Sequence, residues 1–208
     1  MPLETWLAFL VAACLISVSP GAGAVACMTT GMRHGYGRGI WNIVGMQVGI
    51  ALQLAIVGAG LGAILATSTA AFTVLKGLGV AYLCWLGIRQ WRAPAEPVQV
   101  DDARGGGSAG ALFAQGFLVN ATNPKATVFF LAVLPPFIDA ARPLFPQYLA
   151  VAATLTAVDL VVMSGYTIFA AKFLGLLRAP RQIRFVNRLF GGLFVGAAAL
   201  LATFKRAG

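Results

Sequence analysis

Long apolar stretches alternate with short polar or glycine- and proline-rich clusters along the whole chain. A helix crosses a bilayer with about 17 to 25 mostly apolar residues. Six stretches reach that length: Leu3–Thr30, Gly39–Leu65, Phe72–Trp91, Leu112–Ile138, Gln147–Leu174 and Phe185–Leu201. The pattern therefore predicts an all-α integral membrane protein with six transmembrane helices.

Composition agrees with this prediction. Hydrophobic residues make up 59% of the chain and charged residues only 10%, and the mean hydropathy is +0.84. Soluble domains carry about 25% charged residues, so the chain is not expected to be a soluble enzyme, a disordered segment or a secreted disulfide scaffold. The net charge of +9 comes mostly from residues beside apolar segments, which is typical of topology-setting loops. No nucleic-acid partner is expected.

The loop charges predict the orientation. One set of loops carries ten Lys and Arg residues and the opposite set four. Because basic residues concentrate in cytoplasmic loops, we assign the first set to the cytoplasm. Both termini are then expected to lie outside.

The chain is expected to form one transmembrane domain, 1–208, made of two halves. Repeat one covers 1–91, a polar cytoplasmic linker covers 92–110, and repeat two covers 111–208. The segment around Pro20 is echoed around Pro124, at an offset of half the chain. An odd number of spans in each half predicts that the repeats are inverted, a pattern found in secondary transporters.

Helices 1 and 4 are predicted to be broken at these prolines. A proline inside a helix removes a backbone donor and frees a carbonyl, and such polar backbone is tolerated where it lines a cavity. Gly21 and Gly23 add flexibility after Pro20, and the following half-helix would offer a positive N-terminus to a carboxylate. The alternative is a simple kink packed against a neighbouring helix.

Two ionisable residues, Lys125 and Asp159, fall well inside predicted spans. Because a buried charge is costly, such residues mark a pathway or a partner. Lys125 could attract a substrate carboxylate, pair with Asp159, or reach towards the cytoplasmic interface. Asp159 could bind an ammonium group, carry a proton, or serve as a structural partner of Lys125.

Neutral polar groups surround both predicted breaks. Ser17 and Ser19 lie at the first break, and Asn120, Thr122 and Asn123 lie at the second. Of these, Ser19, Asn120 and Asn123 are assigned to the site. Together with the residues above, they complete the predicted substrate site, with Asp159 assigned to proton coupling: Ser19, Pro20, Gly21, Gly23, Asn120, Asn123, Pro124, Lys125 and Asp159. Gln47 and Gln53 either face the same cavity or bond across helices.

Several motifs resemble those of the bacterial LysE/RhtB family of amino-acid exporters. They are Ser19-Pro20-Gly21 with the Gly31, Gly35 and Gly39 loop, the segment Gly79–Gly87, and the segment Gly116–Lys125 continuing to Leu134-Pro135-Pro136-Phe137. The chain departs from this family at Ala22, where a second proline is usual. The resemblance implies a multi-pass protein of the bacterial cytoplasmic (inner) membrane. It also implies export of homoserine, threonine, homoserine lactone or a similar small amino acid by proton antiport.

Two other functions are weighed against export. A divalent-metal transporter would need several carboxylates or a His/Cys cluster, and an intramembrane hydrolase could use Ser19 and Lys125 as a dyad. No P-loop pattern occurs, so gradient coupling is favoured over ATP, and neither a cofactor, a resident metal nor a catalytic residue is expected. Gly45 and Gly49 form a GxxxG motif, which is typical of close helix packing and also permits a homodimer. The expected mechanism is alternating access by rocking of the two halves.

Overall fold

The computed structural model describes residues 1–67, 69–95, 107–139, 141–170 and 179–203. Within these ranges the regular structure is helical, with no strand, which confirms the all-α class. The α-helices are α1 Leu3–Val18, α2 Ala22–Thr67, α3 Thr69–Trp91, α4 Ala109–Ala121, α5 Pro124–Ala132, α6 Leu144–Ile168 and α7 Pro180–Thr203. A short 3₁₀ helix, Pro135–Phe137, follows α5.

Helix α2 is a hairpin of two antiparallel arms, residues 22–34 and 36–67. At the junction Gly35 adopts φ 68° and ψ 175°, a conformation that favours glycine because it lacks Cβ. Asn42 Nδ2 donates to Thr30 Oγ1 at 2.8 Å although the two residues are 12 positions apart. Twelve residues of a straight helix would span about 18 Å, so the chain reverses here. The loop expected at 31–38 is therefore helical on both sides of a turn centred on Gly35.

The chain leaves the helical conformation at the first predicted proline and again just before the second. Helix α1 ends at Val18 and α2 begins at Ala22, with Pro20 in the interval. Helix α4 ends at Ala121 and α5 begins at Pro124. The stretches predicted as spans 1 and 4 are thus each divided into two helices.

By length and composition, three helices in the described part of the chain can cross a membrane: Ala22–Gly60, Leu144–Ile168 and Pro180–Thr203. Two shorter apolar helices, Leu3–Val18 and Ala109–Ala121, accompany them. The first of the three long stretches contains the Gly35 reversal described above, so its two arms run side by side and not end to end.

The two halves of the chain are interleaved. Helix α2 packs along α4 and α6, α1 packs on α6, and α3 packs along α7. Gly45 and Gly49 are buried in the α2–α4 contact, where Phe113 and Phe117 occupy the space in which side chains would stand. The GxxxG motif therefore joins two helices of one chain, and this face does not support a homodimer. Each half therefore packs against the other along several helices.

Two apolar clusters enclose a polar layer. One cluster contains Phe9, Phe129, Phe137 and Leu155, and the other contains Cys27, Met28, Ile43, Met46 and Met163. The two helix interruptions and Asp159 occur in the chain between these groups. The fold thus places the polar groups at the two interruptions, together with Asp159, in one polar layer between the two apolar clusters.

Candidate functional site

The last carbonyl groups of α1 receive hydrogen bonds from the second half of the chain. The side-chain nitrogen of Lys125 donates to the carbonyl oxygens of Ile16 at 3.1 Å and Ser19 at 3.0 Å, and also to the Ser19 hydroxyl. Tyr166 Oη donates to the Val18 carbonyl at 2.7 Å. A helix end leaves carbonyl oxygens unpaired and carries partial negative charge, so the Lys125 cation is well matched to it.

The α4–α5 interval, in the second half of the chain, receives hydrogen bonds from the first half. Gln53 Nε2, on α2, donates to the Ala121 carbonyl at 3.1 Å and to Thr127 Oγ1 at 2.9 Å. Asn123 is the N-cap of α5, because its Oδ1 accepts from the Lys125 backbone N–H at 3.0 Å. Pro124 occupies the first turn of α5, where its missing N–H costs nothing.

Asp159 lies in the middle of α6 and is 5% exposed. Gln47 Nε2 donates to its Oδ2 at 2.8 Å, and buried Ser17 lines the same small cavity as this carboxyl group. Gln47 Oε1 is buried and accepts no hydrogen bond in the described part of the protein. Lys125 and Asp159, both described, do not form a direct ion pair, because the Lys125 ammonium lies on the carbonyls of α1.

A small inner cavity joins these groups. Its volume is about 60 Å³. The residues predicted from sequence that line it are Ser19, Gly21, Gly23, Asn120, Asn123, Lys125 and Asp159. The first turn of α2 forms one wall, and helix N-termini attract anions. Phe129 and Phe130, both 2% exposed, close the side towards the Phe9 cluster.

A second, larger cavity adjoins the inner one and is called the vestibule below. Its volume is about 950 Å³, and it shares Ser19, Gly21, Asn123 and Lys125 with the inner cavity. Pro20 and Pro124 line the vestibule and not the inner cavity. Its outer wall is the C-terminal half of α3, including Tyr82, Trp85 and Arg89, with Arg92 directly after the helix end. A continuous lining therefore connects α3 with the polar layer.

The roles of the predicted residues differ in detail from the expectation. Asn120 Nδ2 donates to the Met46 carbonyl at 3.0 Å, so its amide nitrogen anchors α4 to α2. Sequence reasoning placed Ser17 near the first break without assigning it to the site, left Gln47 ambiguous and missed Tyr166. A tyrosine in an apolar helix gives no signal of its own, because only the packing decides which face reaches a helix end.

The Ser19–Lys125 contact resembles a hydrolase dyad but does not serve as one. A general base must accept the hydroxyl proton, whereas the Lys125 nitrogen directs its three hydrogens at Ser19 Oγ and two carbonyl oxygens. The contact is structural. In the described ranges, no three His, Cys, Asp or Glu side chains come together as a metal site would require.

The sequence is similar to known membrane proteins over nearly its whole length. Residues 14–204 match the LysE type translocator family. The homoserine/homoserine lactone efflux protein of Salmonella typhimurium is 42% identical over 207 residues, covering 100% of both chains. An uncharacterized membrane protein of Vibrio cholerae is 40% identical over 205 residues, covering 99% of this chain and 100% of that protein.

A more distant relative has another substrate in its name. The leucine efflux protein of an Enterobacter species is 29% identical over 204 residues, covering 97% of this chain and 96% of that protein. No solved structure matches the chain. These matches confirm the family inferred from the sequence motifs.

Proposed function

Because the chain belongs to the LysE type translocator family, and is thus a membrane transporter and not an enzyme, we propose that it exports small amino acids from the cytoplasm. Homoserine, homoserine lactone, threonine or a close analogue is the substrate, and protons entering the cell drive the export. The bacterial inner membrane is its location. The relatives that match over their full length and are named for homoserine and homoserine lactone efflux support this choice.

The observation that carries the proposal is the inner cavity. It brings a buried carboxylate, Asp159, and the N-terminal turn of α2 to one space inside an apolar protein. These two features suit the two ends of an amino acid: Asp159 binds the ammonium group, and the α2 N-terminus binds the carboxylate. Lys125 contributes positive charge beside the cavity while its hydrogens hold α1.

Homoserine lactone is the internal ester of homoserine, so it keeps the ammonium group and loses the carboxylate. A transporter for both compounds needs one group that both of them use. Asp159 is that group in this proposal, whereas the α2 N-terminus binds the carboxylate of homoserine more strongly than the ester of the lactone.

Proton coupling is assigned to Asp159 with Gln47 as its partner. When Asp159 is ionised, Gln47 Nε2 donates to it, as seen at 2.8 Å. When Asp159 is protonated, the amide can turn and accept the new O–H with Oε1, the buried oxygen that otherwise has no partner. Protonation would release the bound ammonium group on the outer side, and deprotonation on the cytoplasmic side would allow the next substrate to bind.

Six spans in two inverted repeats are part of the proposal, with both termini outside. The contact pattern supports it, because α1 packs on α6 as α4 packs on α2, while α2–α6 and α3–α7 pair corresponding helices. The vestibule then opens to the cytoplasm, and the Phe129 and Phe130 side is closed. Alternating access would come from movement at the α1–α2 and α4–α5 intervals.

The test is efflux from bacterial cells preloaded with homoserine, homoserine lactone, threonine or leucine. We expect cells that produce the protein to export homoserine and its lactone faster than cells with an empty vector, and a protonophore to abolish the difference. Asp159→Asn should abolish export of both compounds. The matched control is Asp139→Asn, the same chemical change in a carboxylate that pairs with Arg142 at 3.1 Å away from the cavity. Equal efflux with and without the protein, when the protein is in the membrane, would reject the proposal.

A further inference from the structure

We infer that the vestibule is a second binding site, in which Arg89 holds the carboxylate of the substrate before the substrate moves into the inner cavity. The ligand class is a small zwitterion with a free carboxylate. The direction of travel rests on the export function proposed above. The binding step itself concerns only the vestibule and can be tested without transport.

The size of the two cavities favours a separate first site. Ligand pockets commonly measure about 300–1,000 Å³. The vestibule, at about 950 Å³, falls in that range, whereas the inner cavity, at about 60 Å³, is far below it. In this conformation the vestibule has room for an amino acid and the inner cavity has not.

One face of α3 leads from the mouth of the vestibule to the α4–α5 interval. Residues three and four positions apart lie on the same face of a helix, and Tyr82, Trp85 and Arg89 have this spacing. The Tyr82 and Trp85 rings stack with centroids 5.7 Å apart, and the Arg89 guanidinium lies 5.1 Å from the Trp85 ring centroid. Tyr82 Oη donates to the Lys125 carbonyl at 3.4 Å, which ties this face to the start of α5.

The charge of the vestibule selects for anions. Its described lining contains Arg89, Arg92 and Lys125 and no carboxylate. The hydrogens of Lys125 are directed at α1, as described above, so the arginines are the cations left for a ligand. A guanidinium over an indole ring uses its face for the ring and keeps its N–H edge for a carboxylate, which it binds with two parallel hydrogen bonds.

The mouth of the vestibule is held in place from α7. Asn187, 7% exposed, accepts from Gln90 Nε2 at 2.9 Å and donates to the carbonyls of Ala93 and Pro94 at 3.3 and 3.4 Å. The end of α3 is therefore anchored, and Arg89 is presented from a fixed helix and not from a loop. Such positioning is what a binding site requires.

The experiment compares Arg89→Gln with Arg188→Gln. Arg188 is a matched control, because it lies over Trp91 at 6.0 Å and does not line the vestibule. Each variant removes one arginine that lies over a tryptophan. Uptake into inside-out vesicles is measured against the concentration of homoserine and of homoserine lactone. We expect Arg89→Gln to raise KM for homoserine about tenfold and to leave KM for the lactone within about twofold, while Arg188→Gln changes neither.

A binding measurement separates this inference from the export function. Homoserine is titrated into the purified protein, and tryptophan fluorescence is followed with Trp85→Phe as the reference for the vestibule signal. We expect a Trp85-dependent change that Arg89→Gln removes and Arg188→Gln keeps. Binding of this kind without vesicle uptake would reject export and leave the vestibule site standing. The inference would be overturned if the Arg89 and Arg188 variants gave the same KM and the same fluorescence change. It would also be overturned if Arg89→Gln raised KM equally for homoserine and for its lactone.

Discussion

The carbonyl oxygens at the end of α1 explain why a lysine is placed among apolar helices. These oxygens have no further helical N–H groups to bind, and leaving a buried polar group unpaired costs about 1–3 kcal/mol. Lys125 Nζ lies within 3.1 Å of two of them, from Ile16 and Ser19. The charge that looks costly in the sequence is therefore stabilised locally by partial negative charge from a helix end.

Replacement of this ammonium should destabilise the protein. We expect Lys125→Met to lower the free energy of unfolding by about 3 kcal/mol, because two carbonyls and a hydroxyl lose their donor at once. Thermal unfolding in detergent measures the effect. Lys76→Met is the control, since Lys76 donates to the Ala202 carbonyl at 2.8 Å at an exposed position, and it should cost under about 1 kcal/mol. If both variants lost the same free energy of unfolding, the contact of Lys125 with α1 would stabilise the protein no more than an exposed hydrogen bond does.

Sequence alone indicated that Lys125 and Asp159 are buried, but not what they contact. The position of a residue along a predicted span indicates its depth in the membrane. Lys125 and Asp159 were therefore expected at a similar depth, and both lie in the polar layer. The direction of each side chain depends on the rotation of its helix, which a nearly uniform apolar pattern does not specify. This is why Gln47 was left undecided, why Tyr166 was missed, and why a direct Lys125–Asp159 pair remained an open alternative.

At the scale of the helices, small residues decide how closely α2 and α4 approach. A Cβ added to Gly45 would meet the backbone of Phe113 and lie 2.9 Å from the Phe117 backbone nitrogen. Backbone atoms of a packed helix cannot move aside as a flexible side chain can. The close α2–α4 contact in turn brings Gln53 to the Ala121 carbonyl at the end of α4 and Asn120 to the Met46 carbonyl of α2.

Gly45→Ala should therefore lower stability, by about 1–3 kcal/mol from overpacking. Gly165→Ala is the matched control, because Gly165 is also helical and a Cβ there meets nothing within 4 Å. Both changes gain up to about 1 kcal/mol of helix propensity, so the difference between their unfolding midpoints isolates the collision. A Gly45→Ala protein as stable as Gly165→Ala would mean that α4 can shift away from α2 without cost.

The positions at which helices end were more predictable from the sequence than the helices against which each one packs. Pro20, Pro124 and Gly35 are read directly from the sequence because each restricts or permits a particular backbone conformation. The pairing of α3 with α7 and of α1 with α6 could not be read, since apolar surfaces of similar composition fit many neighbours. The GxxxG motif shows the limit well: its close packing was expected, but its partner lies in the same chain.

At the scale of the whole molecule, the proposed transport path has the vestibule at one end and the Phe129–Phe130 side at the other. Because the two halves pack against each other along several helices, we expect access to change by movement where the helices are interrupted, at Pro20 and before Pro124. In the present conformation the vestibule measures about 950 Å³. The proposed orientation assigns that side to the cytoplasm, and this assignment makes a direct labelling prediction.

Val128, on α5, and Val133, the C-cap of α5, differ in their access to the vestibule. Val128 lines the vestibule, whereas Val133 is 1% exposed and belongs to the Phe9 cluster. In a background with Cys14, Cys27 and Cys84 changed to alanine, Val128→Cys should react with a membrane-impermeant maleimide in inside-out vesicles and not in right-side-out vesicles. Val133→Cys, the control, should react in neither. Faster labelling of Val128→Cys from the outer face would reverse the orientation, because a vestibule that opens outwards would receive substrate from the wrong side for export.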